Sequence, residues 1–156
     1  GRGTQSRPDP NHPSGVAPGK RPRLTPNPAI LLRDDGSVMP FGAPGGDAQV
    51  QAMLQVVLNA FHFGMDIQEA IDAPRFMTMS FPNSFAPYKH YPGLMGLEGR
   101  FPSSTLDQLS TLGHKIENFP DYSRRFASVE AVLYQPATGF FRSGADPRQP
   151  AYAITI

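Results

Sequence analysis

Residues 47–64 read DAQVQAMLQVVLNAFHFG. Met53, Val56, Val57, Ala60, Phe61 and Gly64 follow i, i+3, i+4, i+7, i+8 spacing, which is helical. Leu54 and Leu58 add a second apolar flank. Such a helix is expected to be buried on most of its surface, as when packed on a sheet. No other feature constrains the fold as much, because the flanking segments must supply that cover.

They read as strands and a few short helices. AILLR (29–33), DDG (34–36) and SVMPFG (37–42) predict a hairpin, with Pro40 near an edge or end. Gly64 ends the long helix. MDIQEAIDAP (65–74) restarts a short one, with Asp66 as N-cap, Glu69 at capping-box spacing and Pro74 as its stop. RFMTMS (75–80) alternates as a strand, residues 81–93 form a Pro- and aromatic-rich loop, and LMGLEGR (94–100) reads as a strand. Ser103 or Ser104 caps a helix running through Leu112 to Gly113. HKIENF (114–119) is a strand, 120–126 a polar loop, and 128–147 a hairpin about PATG. AYAITI (151–156) closes as a strand. This order suits an α/β layered fold with antiparallel pairs.

Prolines and glycines number 18 and 15, about twice ordinary usage, and they concentrate in residues 1–28. That Pro-, Gly- and Arg-rich segment lacks apolar periodicity. It can be ordered only by lying across something else. The start, which lacks Met, reads as an internal segment or the product of a cut. The remainder, 29–156, carries the apolar pattern. A net charge of +1 gives no basic field for wholesale nucleic-acid binding. Zero cysteines exclude disulfides and thiolate chemistry. No run of 18 apolar residues predicts a membrane span. His12, His62, His90 and His114 lack metal-ligand spacing, and His62 reads as structural.

Gly45 and Gly46 stand between an extended segment and the long helix. Bare N–H groups at a helix N-terminus favour negative charge. One reading is an oxyanion hole for acyl transfer. The other is a tight strand-to-helix turn with Asp47 as N-cap. GKRPR (19–23) suits either an anion site or a solvated loop or interface. Asp146 and Arg148 of GADPR (144–148) are expected to pin a turn by a salt bridge.

APGKRPRLTPNPAILL, GAPGGDAQVQAMLQVVLNAFHFGMDIQEAIDAPRF and SGADPRQPAYA resemble the small subunit of γ-glutamyltranspeptidases. These are N-terminal-nucleophile (Ntn) hydrolases that cut themselves into two subunits. The resemblance spans nearly the whole chain, with the motifs in the family's order. It implies part of an αββα sandwich, with residues 1–28 lying over the active site or the large subunit. It implies that Gly45 and Gly46 donate N–H groups to a tetrahedral intermediate. The family's nucleophile, an N-terminal threonine whose amine serves as base, lies several tens of residues upstream of the matching region. The chain alone is therefore expected to be inactive. Its implied partners are the large subunit, the N-terminal part of the small subunit and a small-molecule amide, with no metal or other cofactor required.

Departures from the family bear on the substrate. Leu24 and Thr25 stand where transpeptidases carry a Ser-Ser pair for the substrate α-carboxylate. Gln5 stands where they carry an acidic residue for the α-ammonium, and Arg2 where they carry Gln or Glu. Asp47 replaces a small polar residue. Arg2 would repel an ammonium. These changes resemble the acylase and amidohydrolase branch, whose substrate would carry an amide and a carboxylate, the latter held by Arg2 and Thr25. Two other readings stand beside this one: γ-glutamyl transfer with glutathione hydrolysis, and a non-catalytic binding module. The compartment is undecided.

Overall fold

The computed structural model describes residues 2–154, the Arg2 side chain excepted. Strands β1 (Ala29–Leu32), β2 (Val38–Gly42), β6 (Glu130–Gln135) and β7 (Phe140–Gly144) form an antiparallel sheet in the order β1-β2-β6-β7. Both sequence-predicted hairpins are present, with Leu31 opposite Met39 and Leu133 opposite Arg142. A second sheet has the order β3-β4-β5, from Phe76–Thr78, Leu94–Glu98 and Lys115–Phe119. Its β4–β5 pair is parallel, which the antiparallel expectation missed. Parallel neighbours need a crossover, and helix α3 (Ser103–Thr111) supplies it.

Helices α1 (Gln49–Phe61) and α2 (Ile67–Asp72) cover one face of the four-stranded sheet. Met39, Val56, Ile71 and Val129 are wholly shielded there, each contributing about 1.5–3 kcal/mol by burial. Asp66 caps α2 with the reciprocal Glu69 bond, as its spacing predicted.

Several expectations need correction. α1 is buried on one side only: Val50, Leu54 and Leu58 are exposed, because this chain places sheet and α2 against the Ala52–Val56 face alone. α1 ends at Phe61, and Gly64 follows in the loop with φ 72°. Asp47 caps nothing; its carboxylate accepts the Ser84 N–H at 2.8 Å. α3 starts after Pro102 without a serine side-chain cap. The polar loop 120–126 contains a short 3-10 helix that buries Phe126. Residues 151–154 form no strand, and 155–156 lie outside the described residues.

The outer edge of β3 is closed by side chains. Gln51 accepts from the Thr78 N–H and donates to its carbonyl, at 2.8 and 3.3 Å. Gln55, one turn later, does the same for Phe76 at 3.1 and 2.9 Å. Two amides at i, i+4 thus stand in for a missing strand. The Pro-rich start lies across residues 85–88. The Tyr88 hydroxyl donates to the Ser6 carbonyl at 2.9 Å, and Arg7 stacks 3.4 Å above the Tyr88 ring.

Candidate active site

The glycine pair occupies the turn from β2 into α1. Gly45 has φ 145° and Gly46 φ 61°, conformations that glycine adopts freely and side chains rarely. A Cβ on Gly45 would fall 2.4 Å from the Ala127 Cβ. Ala127 itself has φ 62°, a state that costs a non-glycine residue about 1–3 kcal/mol. Three bonds hold it there. The Ser128 N–H donates to the Pro44 carbonyl at 3.2 Å, and Arg75 donates to the Phe126 and Ala127 carbonyls at 3.4 and 3.3 Å. Residues 46–48 then form a 3-10 turn that runs into α1. The first N–H groups of a helix have no partner within it, and Gly45 is exposed. The turn can therefore receive an anion.

Two clefts meet at Gly45. One, of about 520 Å³, is lined by Thr25, Asn27, Gly45, Gly46 and Phe85 among others. The other, of about 560 Å³, lies on the Asp47 side and includes Arg23, Gln51 and Met77 in its wall. The fold thus brings Thr25 beside the glycine pair. Leu24 is 49% exposed and lines neither cleft. Gln5 is buried, and its Oε1 has no partner among the described residues. The expected role of the Arg2 side chain lies outside what is described.

Beneath the turn sits a buried charge network. Arg75 pairs with Asp146 at 2.6 Å, Arg148 with Asp146 at 3.1 Å and with Glu98 at 2.6 Å. Arg100 joins Glu98 at 2.8 Å. The arginines also donate to the carbonyls of Ile71 and Ala73, where α2 ends. Those carbonyls lack helical partners and carry the negative end of the helix dipole. Asp146 accepts the Val129 N–H at 2.8 Å. The network therefore ties α2, both sheets and the Ala127 segment together. The expected Asp146–Arg148 pair is present, but as part of a core cluster. Burial alone would raise the Glu98 carboxyl; the Arg148 hydrogen bonds and charge outweigh it and hold it below its ordinary value of 4.5. Burial lowers the Arg75 guanidinium, and Asp146 only partly opposes it. Arg148 is raised: burial opposes its charge, but the Glu98 and Asp146 contacts prevail.

A depressed carboxylate contributes its stability above the unfolded value and loses it as pH falls through the folded one. Unfolding midpoints are expected to drop below about pH 4.5. Glu98→Gln should lower the midpoint at neutral pH and flatten that acid limb. An unchanged acid limb in the variant would clear Glu98 as its source.

Residues 2–156 match the family model described as gamma-glutamyltranspeptidase. The chain belongs to the γ-glutamyltranspeptidase family. It is 34% identical over 141 residues to the oxamate amidohydrolase proenzyme of Klebsiella pneumoniae, covering 90% of this chain and 25% of that protein. It is 30% identical over 141 residues to the glutathione hydrolase proenzyme of Bacillus subtilis, covering 90% of this chain and 22% of that one. The solved structure of LmbA2991T421A matches 94% of this chain and 26% of its own, with TM-score 0.82 and 37% identity. The cephalosporin acylase of Bacillus halodurans matches 94% of this chain and 25% of its own, with TM-score 0.76 and 32% identity. The chain thus spans about a quarter of the length of these family members. They confirm the Ntn-hydrolase fold class.

Within the family frame, sequence reasoning located Gly45, Gly46 and Thr25 in one place. It missed Ala127 and the pairing of Arg148 with Glu98. One signal was available: Glu98 ends the apolar strand LMGLE and is 1% exposed. A carboxylate in such a run needs a buried cation.

Proposed function

We propose that the full protein is an amidohydrolase or acyltransferase that works through an N-terminal threonine outside this chain. The threonine Oγ attacks the amide carbonyl, and its proton passes to the threonine's own amine. The Gly45 and Gly46 N–H groups receive the oxyanion. Collapse breaks the C–N bond, and the proton leaves on the departing amine. Water, or a second amine, then attacks the threonyl ester, releases the acyl group and restores the threonine. The observation that carries this reading is the Gly45 turn, open to solvent at the meeting of two clefts and leading into the α1 N-terminus.

Thr25, in the smaller cleft, contributes to the acyl pocket, with Arg2, Gln5 and Leu24 kept as the family-aligned positions. The preferred acyl group carries a carboxylate and lacks an α-ammonium. Similarity to the oxamate amidohydrolase supports this choice, and similarity to the glutathione hydrolase keeps γ-glutamyl transfer as the second reading. The remainder of the precursor covers the outer face of the four-stranded sheet, where Ile30, Leu32, Val132 and Phe141 are exposed. Without it these 156 residues are inactive.

The test is N-terminal sequencing of the full protein, followed by turnover of glutaryl and γ-glutamyl anilides. A subunit starting with threonine and a faster glutaryl reaction are expected. An uncleaved chain without such a threonine would end the catalytic reading, and faster γ-glutamyl turnover would replace the acyl preference. Amide hydrolysis by the isolated chain would refute its inactivity.

A further inference from the structure

The cleft on the Asp47 side of Gly45 has an unbalanced wall. Arg23, Lys89, Arg124 and Arg125 line it against one carboxylate, Asp47. That carboxylate already accepts the Ser84 N–H, and Arg23 reaches the Ser84 Oγ at 3.3 Å. No ion pair engages any of the four cations among the described residues. The Arg125 guanidinium lies 5.9 Å from the Phe119 ring. Arg124 and Arg125 belong to the short helix that leads directly into Ala127, so their backbone is placed close to the Gly45 turn. A concave wall with an excess of one sign focuses its field on whatever enters.

If the oxyanion sits on Gly45 and Gly46, the scissile bond bridges the two clefts. The acyl group then lies on the Thr25 side and the amine on the Asp47 side. We propose that the Arg23–Lys89–Arg124–Arg125 cleft holds the amine portion of the substrate, and that this amine carries at least two negative charges. An amino dicarboxylate or an acidic dipeptide has that chemistry. A single carboxylate would leave most of the wall unneutralised, whereas guanidinium groups suit several carboxylates held side by side. The assignment of the amine side rests on the oxyanion reading; the anion preference rests on the wall itself.

The test uses the full protein and free dipeptides as probes. Calorimetric titration with Glu-Glu is expected to give a Kd about tenfold lower than with Gly-Gly, the scale of two exposed ion pairs. Raising salt from about 0.05 M to about 0.5 M should remove most of the difference. The Arg124→Gln/Arg125→Gln variant should bind both dipeptides alike, and Lys89→Gln should shift the preference in the same direction. All three side chains are exposed, so the fold tolerates the changes. Equal binding of the two dipeptides by wild type, or a preference untouched by the variants, would overturn the proposal. Turnover separates the two ideas: the kcat/KM of glutaryl-glutamate over glutaryl-glycinamide should follow the same order. A charge preference in binding without turnover of any amide would count against the oxyanion reading and leave the anion cleft standing.

Discussion

Asp146→Ala is expected to lower folding stability by about 3–5 kcal/mol, the cost of breaking a buried ion pair from one side. Asp146 is 1% exposed and pairs with two arginines that are almost as deeply buried. Its removal leaves Arg75 and Arg148 facing each other with one carboxylate, Glu98, between them and Arg100. The Val129 N–H also loses its acceptor. Partial collapse cannot bring water to these groups without opening the seam between α2 and both sheets. Thermal midpoint and soluble yield of the full protein would read the loss. Arg142→Gln serves as a control, because the Arg142–Asp66 pair is long and exposed at 3.4 Å with 55% and 45% of each side chain accessible. Such pairs contribute about 0–1 kcal/mol. An Asp146→Ala midpoint equal to that of the control would mean that the network adds nothing to stability.

Gly45→Ala is expected to reduce kcat by about 100- to 1,000-fold, the scale of losing one oxyanion donor, while the protein stays folded. The new methyl would meet the Ala127 Cβ at 2.4 Å and its Cα at 2.7 Å. Backbone on one side or the other has to move, and the strained φ of 145° disfavours any L side chain there in addition. Ala127 is held by Arg75 and Ser128, so the Gly45 turn yields first and its N–H swings away. Adding Ala127→Gly should relieve the contact and recover part of kcat, the remainder reporting the backbone strain at position 45. An unchanged kcat in Gly45→Ala would mean that the turn holds no charge in the transition state.

The features legible in the sequence are those decided within a few residues. The Asp66–Glu69 capping box closes on itself over three positions, and both hairpins are set by turn residues between extended, β-rich runs. The glycine pair announces a turn before a helix because glycine adopts such angles freely and other residues only rarely. Thr25 entered through a family pattern, which compresses tertiary information into motif order. The misses share a cause. Whether Leu54 and Leu58 are covered depends on what lies opposite them, which periodicity does not encode. Asp47 looked like a cap and instead binds Ser84, 37 positions away.

By itself, then, the sequence determined most of the elements, their turns and the family, since each follows from local backbone preference or from an ordered set of motifs. Only the tertiary structure decided why Gly45 must be glycine, because the obstacle is a methyl group 82 positions later. It likewise decided that Arg75, Glu98, Asp146 and Arg148 form one buried cluster, and that Arg23, Lys89, Arg124 and Arg125 face one cleft. Charges separated by tens of residues acquire partners, or lack them, only when the chain has closed and their distances are fixed.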